Sequence, residues 1–155
     1  MLSIFQRMVL AMLVLGITVT SHANSDDVVD FLVDYEQAIR EQDNGKVAGM
    51  LADDVAVQVS MLTGNEAPTV ISLSRDEFLQ QQRLLWRFAS AHSFTIKKPD
   101  IRKAADEGWE VSFQMQEEYA LFQTSLNREN SVRLRLVRRG DELVIQEIRT
   151  RSREW

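Results

Sequence analysis

Glu117 is the residue whose type and place most invite chemistry. It stands in the series Trp109, Val111, Phe113, Met115, Glu117, Tyr119, Leu121, where every other member is apolar or aromatic. Alternation of that kind puts all seven side chains on one face of a strand. A carboxylate on such a face must be protonated, paired or bathed in pocket water, because an unpaired buried charge costs several kcal/mol. If the face lines a cavity, Glu117 is a pocket carboxylate fit to bind a polar group or move a proton. Two plainer readings compete: a bulge near Gln116 that flips the register, or a position beyond the rim in solvent. The sequence favours the plainer pair. Phe31, Tyr35, Trp86, Trp109, Phe113 and Tyr119, with Met115, supply enough apolar surface to line a site for an apolar ligand. They would fill a core equally well.

The other reactive side chains lack companions. Beyond Ala23 the single histidine is His92, expected at the end of a third helix, where positive charge suits the helix dipole. No nucleophile–base pair or His-based metal set is spaced around it. Asp53 and Asp54 sit at a helix-to-strand junction and read as capping or solvated acids rather than a metal pair. No metal and no cofactor is expected. Glu118, on the opposite strand face, is expected to meet Arg133 or Arg135 across a hairpin. Such a solvated pair contributes about 1 kcal/mol at most.

The elements that must position these residues are read from periodicity. Val28, Phe31, Leu32, Tyr35 and Ile39 recur at helical spacing, with Asp27, Asp30, Asp34 and Glu41 on the other side. Ser25 is a plausible N-cap, and Asp43 or Asn44 caps a short second helix carrying Val47, Met50 and Leu51. Val55, Val57 and Val59 then alternate as a strand. Thr69 to Leu73 is a second strand after a turn at Thr63 to Pro68. Ser74 and Glu77 form a capping box that opens a helix to about Ala91, with Gln82 interrupting its apolar stripe. From Ser93 the period is two: strands about Phe94 to Lys98, 109–121, 132–136 and 143–151, with turns at 106–108, 127–130 and 139–141. Pro99 belongs at an edge or bulge.

A helix carrying a tyrosine, a Gln-Asp-Asn-Gly break at 42–45, a short helix ending in Met-Leu-Ala-Asp-Asp at 50–54 and an alternating valine strand resemble the opening of the NTF2-like superfamily (SnoaL-like and ketosteroid-isomerase-like proteins). The order of elements matches that family over essentially the whole chain after Ala23. The resemblance implies an α+β cone: three helices in the N-terminal half, packed on a strongly bent antiparallel sheet of about six strands in the order α-α-β-β-α-β-β-β-β. It also implies a pocket on the concave side and a homodimer through the sheet. Members include isomerases, dehydratases, hydrolases, cyclases and non-catalytic domains. By position, Tyr35 matches the oxyanion-donating tyrosine of the ketosteroid isomerases. The matching base and second acid would fall at about Val59 and Val132, which carry no proton. That absence argues against the isomerase reaction.

At 155 residues the chain has room for one domain with a real core. Residues 1–23 are expected to be a secretory signal peptide: Arg7 is the only charge, Met8 to Val19 is mostly apolar, and Ser21-His22-Ala23 suits cleavage after Ala23. That apolar run is short of a membrane span, so no stable anchor is expected after cleavage. The domain 24–155 would then be periplasmic or secreted, and without cysteine it must stand on its core alone. A net charge of −5 argues against general nucleic-acid binding. Eight arginines nevertheless follow Asn127, against five acids, which suggests a solvated outer face or a charge-complementary contact. The leading expectation is a non-catalytic domain that binds a small, largely apolar ligand or a partner protein. The alternatives are a small-molecule isomerase, dehydratase or hydrolase using Tyr35 and Glu117 as acid and base, and a purely structural dimerisation module.

Overall fold

The computed structural model describes residues 24–62 and 67–155. The expected signal segment and most of the expected turn at Thr63 to Pro68 lie outside the described residues. Helix α1 spans Ser25–Arg40. Its cap is Asn24, one residue before the expected Ser25. The Asn24 side chain accepts from Ser25 N–H at 2.9 Å, and Asp27 reaches back to Asn24 N–H at 3.1 Å. Asp43 caps α2 (Asn44–Met50) through Lys46 N–H at 2.9 Å, and the Ser74–Glu77 capping box opens α3 (Arg75–Phe88) as the sequence implies.

Seven strands follow and interleave these helices: β1 (Leu51–Leu62), β2 (Thr69–Leu73), β3 (Ala89–Ile96), β4 (Asp100–Lys103), β5 (Trp109–Leu121), β6 (Thr124–Arg139) and β7 (Glu142–Glu154). They make one curved sheet in the order β2-β1-β7-β6-β5-β3, with β4 also paired to β5. β4 is a strand beyond the expected set. β5 is long enough to pair β3 along its C-terminal half and β4 along its N-terminal half, and Pro99 falls in the break between the two. Nor is the sheet wholly antiparallel, because β1 and β7 run parallel. No hairpin constrains that pair. Most of the domain lies between the two strands in sequence, so there is ample chain for a parallel crossover. Extra residues in β1, in β3 and at Gln146 of β7 add the local bend that curves the sheet round the helices.

Two further boundaries differ from the sequence reading. Helix α3 stops at Phe88, and Ala89 to Ala91 join β3, because pairing of Ala89 with Leu121 and His92 with Tyr119 overrides local helical preference. The chain reverses between β5 and β6 at Phe122–Gln123, both at positive φ (49° and 69°), a two-residue hairpin turn. The expected turn at Asn127 to Asn130 is therefore strand. The core lies between the helices and the inner face of the sheet, where Val28, Ala38, Val47, Val111, Leu134, Leu136 and Ile145 are completely buried.

Candidate functional site

Glu117 sits on the inner face. The β5–β6 register runs unbroken from Trp109 opposite Leu136 to Leu121 opposite Thr124, so no bulge near Gln116 turns it outward. It is one of three buried polar residues among those described, with Asn130 and Ser152. The three form a chain across β5, β6 and β7. Ser152 Oγ donates to Asn130 Oδ1 at 2.6 Å, and Asn130 Nδ2 donates to Glu117 Oε2 at 2.5 Å. A carboxylate accepts only, so Glu117 forces the Asn130 amide nitrogen toward it, and Ser152 holds the amide oxygen. Glu117 Oε1 meets His92 Nε2 at 3.2 Å. His92 is thus a strand residue beside the carboxylate, not a helix terminus, and its side chain is only 4% exposed although the residue as a whole is half-buried.

This network borders a cavity of about 110 Å³ between α1, α3 and the sheet. Tyr35 and Ile39 enter from α1, Gln82 and Trp86 from α3, and Phe113, Met115 and Glu117 from β5. Burial, and then the negative charge of Glu117, push the Tyr35 hydroxyl up to about 12, so it keeps its proton throughout the neutral range. Gln82 Oε1 is buried and has no hydrogen-bond partner among the described residues. An orphan acceptor of this kind costs about 1–3 kcal/mol, which a donor placed in the cavity would relieve. Tyr35 and Phe113 also line a second, apolar pocket of about 190 Å³, walled by Val29, Leu32, Val33 and Ile96. The two spaces lie on either side of the same pair of aromatic residues.

Of the eight sequence candidates, Tyr35, Trp86, Phe113, Met115 and Glu117 come together on the cavity. Three do not. Phe31 faces a separate groove between α1, α2 and the β6–β7 hairpin. Trp109 packs against the core opposite Leu136, away from the cavity. The Tyr119 hydroxyl donates to Glu154 Oε1 at 2.6 Å and accepts from Arg128 Nη2 at 2.6 Å, in a closed cluster of its own. Val132, where the resemblance would place a second acid, lines the cavity as a valine. Val59 packs partly buried against the core.

Sequence reasoning missed His92, Asn130, Ser152 and the unpartnered state of Gln82. The parity of the strands held the signal for two of them. Asn130 is in phase with Val132, Leu134 and Leu136, and Ser152 with Ile148, so both had to point inward. Glu118 lies opposite Asn127 rather than Arg133 or Arg135, which stand across from Ser112 and Glu110. Asp54 pairs with Arg139 at 2.6 Å at the surface. Among the described residues no three His, Cys, Asp or Glu side chains converge as a metal site.

No family model matches the chain, and no curated protein matches it. Solved structures do. An NTF2-like protein from Cytophaga hutchinsonii is 12% identical, with 83% of this chain and 98% of that one covered and a TM-score of 0.64. LinA is 11% identical over 83% of this chain and 84% of its own, also at 0.64. A scytalone-dehydratase-like protein from Novosphingobium aromaticivorans is 10% identical over 83% and 88%, at 0.61. At such identities the likeness is one of fold, and that fold is the NTF2-like cone.

Proposed function

We propose that the cone cavity takes a small, largely apolar molecule bearing one or two polar groups, and that Glu117 and Tyr35 transfer a proton on it. The observation that carries this reading is that the two residues line one cavity, with Glu117 fixed by His92 and Asn130. For a carbonyl substrate the chemistry balances simply. Glu117 takes the proton from the carbon beside the carbonyl, the C–H electron pair moves to form the enolate, and Tyr35 donates a hydrogen bond to its oxygen. In a β,γ-unsaturated ketone the dienolate takes the proton back at its γ-carbon, which isomerises the substrate; in a β-hydroxyketone the enolate expels the β-hydroxyl, which takes the proton held by Glu117 and leaves as water. Gln82 Oε1 would accept from a substrate hydroxyl. A cavity of about 150 Å³ holds benzene, so this smaller one limits the ligand to roughly four or five non-hydrogen atoms, unless Tyr35 and Phe113 move and join the adjacent pocket.

A second reading, binding without chemistry, has its own support. Both Glu117 oxygens are already engaged, as in a recognition group held rigid for a ligand donor. The signal-peptide pattern of residues 1–23 supports an exported, periplasmic or secreted domain under either reading.

One experiment separates the two. The protein is incubated in heavy water with small ketones and hydroxyketones of about four to six non-hydrogen atoms, cyclic and open-chain, and deuterium gain beside the carbonyl is followed by NMR with thermal midpoints in parallel. Exchange that Glu117→Gln abolishes supports proton transfer. A midpoint rise without exchange, also lost in Glu117→Gln, supports binding alone. Neither effect with any compound would leave the cone as a filled structural core.

A further inference from the structure

The outer face of the same sheet carries a second arrangement. Taken row by row across β5, β6, β7 and β1, its side chains read as a charge pattern. One row is Glu110, Arg135, Glu147, Ala56, alternating in sign. Three rows further along, beyond the middle pair, Gln116, Glu129, Arg153 and Leu62 again set an acid beside an arginine. The two middle rows differ. They are Ser112, Arg133, Arg149, Gln58 and Gln114, Ser131, Arg151, Ser60: three arginines, no acid, and otherwise hydroxyls and carboxamides. Lys97 and Lys98, between β3 and β4, close one end, and all five cations are exposed around one concavity of about 470 Å³.

Arg133 and Arg149 are direct antiparallel partners, an arrangement in which like charges repel. Arg149 has Glu147 at 2.6 Å, whereas Lys97, Lys98, Arg133 and Arg151 have no ion pair among the described residues. A chain whose net charge is −5 gathers these cations where its neighbouring rows neutralise theirs. Such a local conflict points to a compensating partner. The lining also says what kind. Outward aromatic or aliphatic anchors, which carry protein–protein interfaces, are missing from the two middle rows. A second copy whose two-fold axis crossed these two rows would bring their arginines close to one another. Guanidinium forks with hydroxyls and amides suit oxygen-rich anions.

We propose that this groove binds a small hydrophilic polyanion carrying two or more phosphate or carboxylate groups. The cavity within the cone, with its single carboxylate, is a separate site. The test is calorimetric titration of the full protein at low salt with pyrophosphate and with citrate, the two arms telling phosphate from carboxylate chemistry. Expected is saturable one-to-one binding of one or both, weakened about tenfold or more by Arg133→Gln and by Lys97→Gln/Lys98→Gln, and unaffected by Arg102→Gln, whose partner Asp100 lies outside the groove. Arg133→Gln should also raise the ligand-free thermal midpoint by relieving repulsion, which loss of a structural contact would not do. No saturable binding, or equal loss in Arg102→Gln, would overturn the proposal. So would a dimer, seen by sedimentation, that occupies this face and excludes both anions.

Discussion

Strands β5, β6 and β7 present two faces that solve opposite problems with the same backbone. On the inner face polar side chains are costly, and most of those present hold one another: Ser152 to Asn130, Asn130 to Glu117, Glu117 to His92, and separately Arg128, Tyr119 and Glu154, while Trp109 Nε1 and Arg128 Nε stay without a partner among the described residues. On the outer face water solvates charge at little cost, and Arg133 and Arg151 stand without ion partners among the described residues. Function therefore leaves a different mark on each face. Inside, the telling feature is a polar atom that satisfaction has bypassed, Gln82 Oε1, next to a carboxylate held in place. Outside, it is a charge pattern that its neighbours do not neutralise.

Substitutions can break this contrast. The largest effect should come from Asn130→Ala, which strands Glu117 and Ser152 in the interior. A loss of about 3 kcal/mol is expected in denaturant unfolding, with a midpoint lower by roughly 10 °C in a thermal melt. Glu117→Gln in that background should cost less than in the native protein, since the pair is already broken. Next comes Tyr35. Its folded value of about 12 lies above the ordinary 10.0, so its contribution is complete below pH 10 and fades as pH climbs toward 12. That contribution is about 2–3 kcal/mol, and Tyr35→Phe should flatten stability against pH across that window. On the outer face the sign reverses: Arg133→Gln should add roughly 0.5 kcal/mol. Smallest of all, Asp54→Asn should change stability by less than about 0.5 kcal/mol, because its pair with Arg139 is exposed.

Most of the fold was legible because its elements carry strong local signals. The helical spacing from Val28 to Ile39, the Ser74–Glu77 box and the alternation from Trp109 to Leu121 each specify one structure. The hairpin between β5 and β6 was not. Its turn residues, Phe122 and Gln123, lack the glycine or asparagine that usually marks positive φ, while Asn127 and Asn130 a few residues on look like a turn and are strand. That one displacement hid the site. With Asn130 read as a turn residue, Glu117 had no visible partner, and a bulge or a rim position was the cheaper explanation. His92 was hidden similarly, by an Ala-Ser-Ala run that extends a helix by propensity but pairs with β5 in the fold.

Proton transfer by Glu117 is tested by exchange of deuterium into a small cyclic ketone, measured by NMR on the native protein and on Glu117→Gln at matched folded fractions. Exchange in the native protein that falls to the solvent rate in Glu117→Gln is the predicted result. Exchange that persists undiminished in Glu117→Gln would contradict the account, because proton transfer would then proceed without the carboxylate that the inner face holds in place.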